Sequence, residues 1–271
     1  MQLQTFKIIE PLKESIEKIW LYKSDERLEE DDLKMIVPNG RIKLIIPFND
    51  VLTKTGSFEV YSVGNRIFLI GIIEVPRIIN DQKQNPSGTI GIEFNPAAAY
   101  RFFSLDFAGI VNNIIPLSNI SGKEVSDLEK ALSHASSPEI KADMLQQFLL
   151  LQMKETEDTV FGHCIRKIES VKGQITMSEL EKSTGYTSRW LNMKFKQRLG
   201  ISPKNFAGII RFYDIYKSLS NNPFRLFSQK GFYDLYHDQS HFIRDFKKFA
   251  GMPPARLTRA INDFGKAFFK S

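Results

Sequence analysis

The 271-residue sequence is poor in the residues that carry most redox and metal chemistry: it holds one cysteine, Cys164, and four histidines. A single cysteine excludes an internal disulfide framework. No uncharged apolar run approaches the roughly eighteen residues that a membrane-spanning helix needs. The first residues, "MQLQTFKIIE", lack the basic start and apolar run of a signal peptide. We therefore expect a cytoplasmic protein that has no membrane partner.

The charge is divided unevenly along the chain. The net charge is +6, but the residues from Val160 onward hold 20 Lys and Arg against 8 Asp and Glu, a net of +12. The first 159 residues hold 17 against 23, a net of −6. Such an asymmetry is typical of a regulatory domain joined to a nucleic-acid-binding domain. A lopsided solvated surface is the alternative explanation.

Two kinds of hydrophobic pattern follow one another in the first half of the chain. From about Leu33 to Phe94, the runs "RIKLIIPF", "SFEVYSV", "RIFLIGIIEV" and "TIGIEF" alternate with turn formers, which predicts strands. After "FNP" the spacing becomes helical, in "AAAYRFFSL", "GKEVSDLEKALSHA" and "EIKADMLQQFLLLQM". Ser137 and Pro138 fit the N-cap and first position of the last of these helices.

The polar stretch "KETEDT" at 154–159 is the best linker in the sequence. We therefore predict an α+β fold in which residues 1–155 form a β-rich regulatory or dimerisation domain with trailing helices. Residues 160–271 are expected to form an all-α domain, because everything after the linker has helical spacing with short turns.

The all-α half contains an internal repeat. "LNMKFKQRLGISP" from Leu191 and "FIRDFKKFAGMPP" from Phe242 share apolar, Lys, Gly and Pro positions 51 residues apart. In each copy two apolar residues four apart share a helix face, and Gly followed by Pro ends the helix. A shorter helix precedes each copy, in "MSELEKSTGYTS" and "FRLFSQKGFYDLYHDQS". This pattern predicts two helix-turn-helix units, at about 176–200 and 224–251, in a DNA-binding domain.

The stretches "STGYTSRWLNMKFKQRLGISPKNFAGIIRF" and "YHDQSHFIRDFKKFAGMPP" closely resemble the two helix-turn-helix units of the AraC/XylS family of bacterial transcription regulators, over roughly Thr176 to Leu257. "PNGRIKLIIPF", "YSVGN" and "GIEFNPAAAYRFF" look like a less studied β-rich domain that precedes this module in one branch of the family. The resemblance implies a sequence-specific regulator of transcription that binds double-stranded DNA and uses no cofactor. RNA polymerase, a small-molecule effector and a second copy of the chain are its further candidate partners.

Helix geometry selects the residues that would meet DNA. If Asp238 caps the second recognition helix, Phe242 and Phe246 point inward and their neighbours face a major groove. The base-reading candidates are Arg189, Asn192 and Met193 in the first helix and Gln239, Ser240, Ile243 and Arg244 in the second. Lys196 and Lys247 are better placed for phosphates, and Lys194, Arg198 and Lys248 would add non-specific affinity. The segment "PKNFAGIIRFYDIYKSLS" predicts a connecting helix of about 17 residues, which spans roughly 25 Å.

Other chemistry is poorly supported by the residues present. Asp238, Ser240 and His241 lie within one helical turn, which does not supply the geometry of a Ser-His-Asp site. His237 and His241 have spacing that suits two metal ligands, but no third ligand is suggested. The simplest explanation of Cys164 is a small apolar residue in a helix. The sequence lacks the cysteine cluster that alkyl-transfer proteins of this type carry. A ligand-binding or enzymatic β-domain with a degenerate DNA-binding module, and a purely structural interaction protein, are the alternative functions.

Three residues depart from the family pattern. Glu181 stands where the first helix of the first unit usually has Ala, and Gly231 occupies the matching position in the second unit. Leu235 stands where the second turn usually has Gly, and a Leu in a left-handed conformation costs roughly 1–2 kcal/mol. These departures put the rigidity of the second unit in question.

Overall fold

The computed structural model describes residues 2–24, 34–48, 66–79, 87–221 and 239–251. An antiparallel sheet is followed by helices, so the predicted α+β fold is confirmed. The strands are β1 Gln2–Phe6, β2 Ile16–Ser24, β3 Lys34–Ile36, β4 Lys43–Phe48, β5 Phe68–Ile70, β6 Arg77–Ile79, β7 Ser87–Phe94 and β8 Ile114–Pro116. Six of them form one sheet in the order β1-β2-β7-β4-β5-β8, and β3 pairs with β6.

Seven α-helices lie in the described residues. They are α1 Gly122–His134, α2 Pro138–Gln152, α3 Thr159–Ser170, α4 Met177–Thr184, α5 Ser188–Leu199, α6 Pro203–Asn221 and α7 Gln239–Ala250. Helix α2 starts as predicted, because Ser137 accepts a hydrogen bond from the Ile140 N–H and Pro138 takes the first position. Among the described residues, no helix has the length and apolar character needed to cross a bilayer.

Apolar side chains lie on both faces of the sheet. Ile19 and Leu21 of β2 point into the main core, whereas Trp20, between them, lies on the opposite face. A Cβ on Gly91 of the neighbouring β7 would come within 2.1 Å of the Trp20 indole, so glycine there lets the ring lie flat on the sheet. A second apolar cluster is formed by Ile45, Phe68, Ile70 and Ile73.

The observed strands and helices differ from the predicted ones at several points. Strands β1 and β2 precede the region predicted to be β-rich, and "RIFLIGIIEV" is a strand only over β5. The predicted helix in "AAAYRFFSL" is reduced to a 3-10 helix, Ala99–Arg101. Phe102 and Phe103 both pack on Phe94, with ring centroids 5.1 and 5.5 Å away. Adjacent residues of an α-helix do not face the same way, so this packing ends the helix. The predicted strand "SFEVYSV" lies outside the described residues.

One buried cluster joins the sheet to the helices of the basic half. It includes Phe107 from the acidic half and Phe161, Phe195 and Phe206 from the basic half. The ring centroids of Phe161 and Phe195 lie 4.9 Å apart. Helix α5, the first predicted recognition helix, packs on the 3-10 helix Phe107–Ile110 of the N-terminal half.

Candidate nucleic-acid interface

Helices α4 and α5 form a tight helix-turn-helix unit whose ends are set by local sequence. Thr176 and Glu179 form a capping box at the start of α4. Gly185 ends α4 in a left-handed conformation, with φ of 74°. Thr187 then caps α5 by accepting a hydrogen bond from the Trp190 N–H. The turn is therefore closed by one glycine and one capping side chain.

Glu181, the first departure from the family pattern, holds this turn together. Its carboxylate accepts a hydrogen bond from the Ser188 hydroxyl at 2.6 Å and another from the Ser188 N–H. The hydroxyl and then the N–H stabilise the ionised form and lower the pKa of Glu181 below its ordinary value. The carboxylate also sits at the positive end of α5. A glutamate in this position thus ties α4 to the first turn of the recognition helix.

The outer face of α5 carries the residues predicted to read DNA. Arg189 and Lys196 are exposed, and Met193 is 44% exposed. Leu191 and Phe195 are buried on the opposite face, as predicted. The four predicted positions on this helix are Arg189, Asn192, Met193 and Lys196. The Asn192 amide donates a hydrogen bond to the Ser188 carbonyl oxygen at 2.7 Å, so part of its donor capacity is used inside the helix.

An aromatic pair flanks this face. The rings of Tyr186 and Trp190 are stacked with centroids 4.0 Å apart. The Lys194 ammonium lies 5.0 Å from the Trp190 ring centroid, within cation–π range. No pattern in the sequence suggested this stack, because it joins the turn to the helix rather than two positions of one periodic face.

Lys194 and Arg198, which the sequence suggested as phosphate contacts, both pair with an acidic side chain in the structure. Lys194 Nζ lies 3.0 Å and Arg198 Nε 3.5 Å from Oδ2 of Asp158. The Arg198 guanidinium also stacks on the Tyr100 ring, 4.3 Å from its centroid. Both cations therefore face the N-terminal half, and the ion pairs reduce their availability for phosphate.

The segment predicted to be a linker is pinned at both ends. Arg101 Nε donates a hydrogen bond to the Lys154 carbonyl oxygen at 2.8 Å. The Asp158 N–H donates to the Tyr100 hydroxyl at 2.6 Å, and the Asp158 carboxylate caps α3 by accepting from the Phe161 N–H. The connection between α2 and α3 is thus anchored at both ends by hydrogen bonds, although most of its side chains are exposed.

The second unit is described only in its recognition helix. On α7, Ile243 is 40% exposed, Arg244, Lys247 and Lys248 are exposed, and Phe246 is buried as predicted. Gln239 and Ser240 lie in the first turn of α7, but their side chains, like that of Phe242, are outside the described part of the chain. Asp238, His237, Gly231 and Leu235 also lie outside it.

Helix α6 follows the first unit and has one buried side. It has 19 residues, which corresponds to roughly 28 Å. Phe206, Ile209 and Tyr216 are buried, and Phe212 packs on Phe246 of α7 with centroids 5.3 Å apart.

Polar contacts also hold the helices on the sheet. Arg41 pairs with Glu17 on β2 and with Glu169 on α3, at 2.8 Å in each case. Burial opposes the charge of Arg41, but the two carboxylates outweigh it and raise the pKa of the guanidinium. The Asn205 amide of α6 donates to Glu74 at 2.7 Å. One guanidinium and one amide thus connect the sheet side of the molecule to α3 and α6.

Groups suited to other chemistry are few in the described residues. Cys164 is fully buried, and burial, with a smaller contribution from Asp158, raises the pKa of its thiol to about 11. A thiol with this pKa is protonated near neutral pH and is a poor nucleophile. No group of three or more metal-ligating side chains occurs in the parts of the chain that the structure describes.

Comparisons with known proteins bear mainly on the sheet. Residues 4–116 match a family described as a domain of unknown function, DUF6597. The β-rich half is thus similar to DUF6597 domains. The described residues have the order expected from the sequence resemblance to the AraC/XylS regulators, a β-rich half followed by a half that contains a helix-turn-helix. No curated protein matches the chain.

Three solved structures of ToxT from Vibrio cholerae are similar in fold. A 1.65 Å structure in a P21 form is 12% identical with a TM-score of 0.48 and covers 91% of this chain and 98% of ToxT. ToxT bound to (E)-4-(8-methylnaphthalen-1-yl)but-3-enoic acid is 12% identical with a TM-score of 0.45, and the match covers 97% of this chain and 100% of ToxT. ToxT bound to an unsaturated fatty acid is 11% identical with a TM-score of 0.43, and the match covers 92% of this chain and 96% of ToxT. Similarity at this level does not assign a function to this chain.

Proposed function

We propose that the protein is a bacterial, cytoplasmic transcription regulator that binds double-stranded DNA sequence-specifically through α5 and α7. One observation carries the proposal: each helix buries an apolar face and presents arginine and lysine on the opposite face. On α5 the exposed cations are Arg189 and Lys196, and on α7 they are Arg244, Lys247 and Lys248. The net charge of +12 from Val160 onward adds non-specific attraction to phosphates.

The exposed residues have distinct proposed roles. Arg189 and Arg244 would each form two hydrogen bonds with a guanine, and Asn192 and Gln239 would pair with adenine. Lys196 would bind a backbone phosphate and Lys247 another, and Ser240 would contact either base or phosphate. Helix α6 would fix the spacing of the two reading faces. A single chain would then bind a site of two halves about one helical turn apart.

The test is a binding titration of the full-length chain with DNA from upstream of its own coding region and with a scrambled duplex. Arg189→Ala should weaken specific binding by about 1–3 kcal/mol, the range for one lost base contact, and should leave scrambled binding nearly unchanged. Lys123→Ala is the matched control, because Lys123 is an exposed cation on α1, outside both units. Full discrimination in folded Arg189→Ala, or no preference in the wild type, would contradict the proposal.

The second part of the proposal is that the N-terminal half provides the regulatory input, by binding a small molecule or a second copy of the chain, and that it is not a catalyst. We place an apolar ligand, if the input is one, against the small cluster of Ile45, Phe68, Ile70 and Ile73 on the second face of the sheet. Arg41–Glu169 and Asn205–Glu74 give that half a direct connection to the helices. RNA polymerase would be the partner that the DNA-bound protein contacts.

Oleate is a reasonable first probe, because similar ToxT structures contain an unsaturated fatty acid and an aryl butenoic acid. A rise in melting temperature with oleate, together with a changed DNA affinity, would support a fatty-acid effector; stearate is the saturated control. Sedimentation measured with and without DNA tests the second copy. A protein that stays monomeric, responds to neither acid and turns over a substrate would overturn this part.

A further inference from the structure

The outer faces of the two recognition helices share a feature that their charges do not explain. Each has one large apolar side chain exposed to solvent, Met193 on α5 and Ile243 on α7. Single exposed apolar residues are common on protein surfaces. These two are distinguished by their position, because each lies within one helical turn of an exposed arginine and an exposed lysine.

Met193 and Ile243 do not occupy equivalent positions of the internal repeat but neighbouring ones. With the 51-residue offset, Asn192 corresponds to Ile243 and Met193 corresponds to Arg244. Each unit therefore has one hydrogen-bonding and one apolar side chain at the centre of its outer face, in opposite order. Lys196 and Lys247 occupy equivalent positions beside them.

The chemistry of the major groove restricts what an apolar side chain can contact there. Base edges offer hydrogen-bond donors and acceptors, and the C5 methyl group of thymine is the apolar group among them. Pressing Met193 against a polar base edge would remove water from that edge without replacing its hydrogen bonds, which is unfavourable. Contact with a thymine methyl removes apolar surface of both partners from water, which is favourable.

We propose that Met193 and Ile243 are specificity residues that each read the C5 methyl group of one thymine, so that each half-site contains one methyl-dependent position. The proposal rests on the DNA-binding function proposed above. The expected gain is about fourfold in affinity per methyl, which corresponds to about 0.8 kcal/mol for one buried methylene-sized group.

The experiment begins by selecting the preferred duplex from a random library with the full-length protein. Each thymine of the selected site is then replaced in turn by deoxyuridine, which removes the methyl group and keeps the base pairing. Wild-type protein should lose about fourfold in affinity at one position of each half-site. Met193→Gln should abolish the loss in one half-site, whereas Met193→Leu, which keeps an apolar side chain, should retain it.

The same comparison applies to the second unit, with Ile243→Asn expected to abolish the dependence and Ile243→Val to retain it. Selection of a defined site in which no thymine methyl matters would overturn this inference and leave the proposed function intact. Methyl dependence that persists in both Met193→Gln and Ile243→Asn would also overturn it. Failure to select any sequence would overturn the proposed function and this inference together.

Discussion

Replacement of Asp158 is the most direct test of how α5 is attached to the rest of the molecule. Its carboxylate caps α3 through the Phe161 N–H and pairs with Lys194 and Arg198 on α5. The side chain of Asp158 is 10% exposed, and those of Lys194 and Arg198 are 23% and 37% exposed. The three groups thus form a half-buried ionic contact at the junction of the two halves.

The expected cost follows from the two roles of the carboxylate. Loss of an N-cap costs about 1 kcal/mol. Exposed ion pairs contribute about 0.2–1 kcal/mol and broken buried pairs cost about 3–5 kcal/mol, so this screened contact should contribute about 1–2 kcal/mol. Asp158→Ala removes both and should lower the free energy of unfolding by about 2–3 kcal/mol. Asp158→Asn keeps a good cap and should cost about 1–2 kcal/mol.

The pH dependence gives an independent check of the charge. Burial disfavours the carboxylate, but hydrogen bonds from Lys194 and the Phe161 N–H outweigh it and lower the pKa of Asp158. A lowered pKa in the folded state adds stability above the unfolded pKa of about 3.9, and this stability is lost as the pH falls through the folded value. Urea unfolding of wild type and Asp158→Asn should therefore differ at pH 7, and the difference should shrink as the pH falls below about 3.9. Equal stability at pH 7, or a gap that does not change with pH, would refute the reasoning.

Three further predictions concern the packing of the helical half. Gly185→Ala and Gly200→Ala both force an alanine into a positive φ, which lowers stability by about 1 kcal/mol in each case. A Cβ at Gly200 would also lie 2.3 Å from the Phe107 carbonyl oxygen. A Cβ at Gly185 would meet no atom of the described residues within 4 Å. Urea denaturation should therefore show a clearly larger loss for Gly200→Ala, and equal losses would contradict the contact. Arg41→Met should cost about 1–2 kcal/mol by calorimetry because it leaves the partly exposed carboxylates of Glu17 and Glu169 without this partner; an unchanged melting temperature would contradict this. Phe246→Ala should cost about 3–5 kcal/mol, and a stable variant with normal circular dichroism would show that α7 does not depend on this ring.

The helix-turn-helix unit of α4 and α5 was predictable because local signals define it. Thr176, Gly185 and Gly200 mark helix ends, and the spacing of Leu191 and Phe195 marks the buried face. Each signal acts over a few residues, so the sequence alone reveals it.

The features that were missed depend on partners far away in the chain. Lys194 has the spacing of a solvent-exposed cation, but its partner Asp158 precedes it by 36 residues. Strand β2 is buried on both faces, so its sequence "IEKIWLYKS" lacks the clean alternation of a half-buried strand. Glu181 looked like a departure from the family pattern, and only the turn geometry brings its carboxylate to Ser188.

The packing leaves the outer faces of α5 and α7 exposed and holds their opposite faces against the rest of the protein. Gly200 at the end of α5 meets the carbonyl of Phe107, Gly40 lies against the Phe206 ring of α6, and Gly251 after α7 meets the Pro76 ring. The helices can slide little at these three glycines, because the gap to the neighbouring residue is too small even for a Cβ. A ligand changes DNA binding only as far as it distinguishes two arrangements of the protein. We therefore expect an effector to act by moving the loop of Gly40 or the 3-10 helix of Phe107, because displacement of either would shift the support of α5 or α6 while the reading side chains themselves stay unchanged.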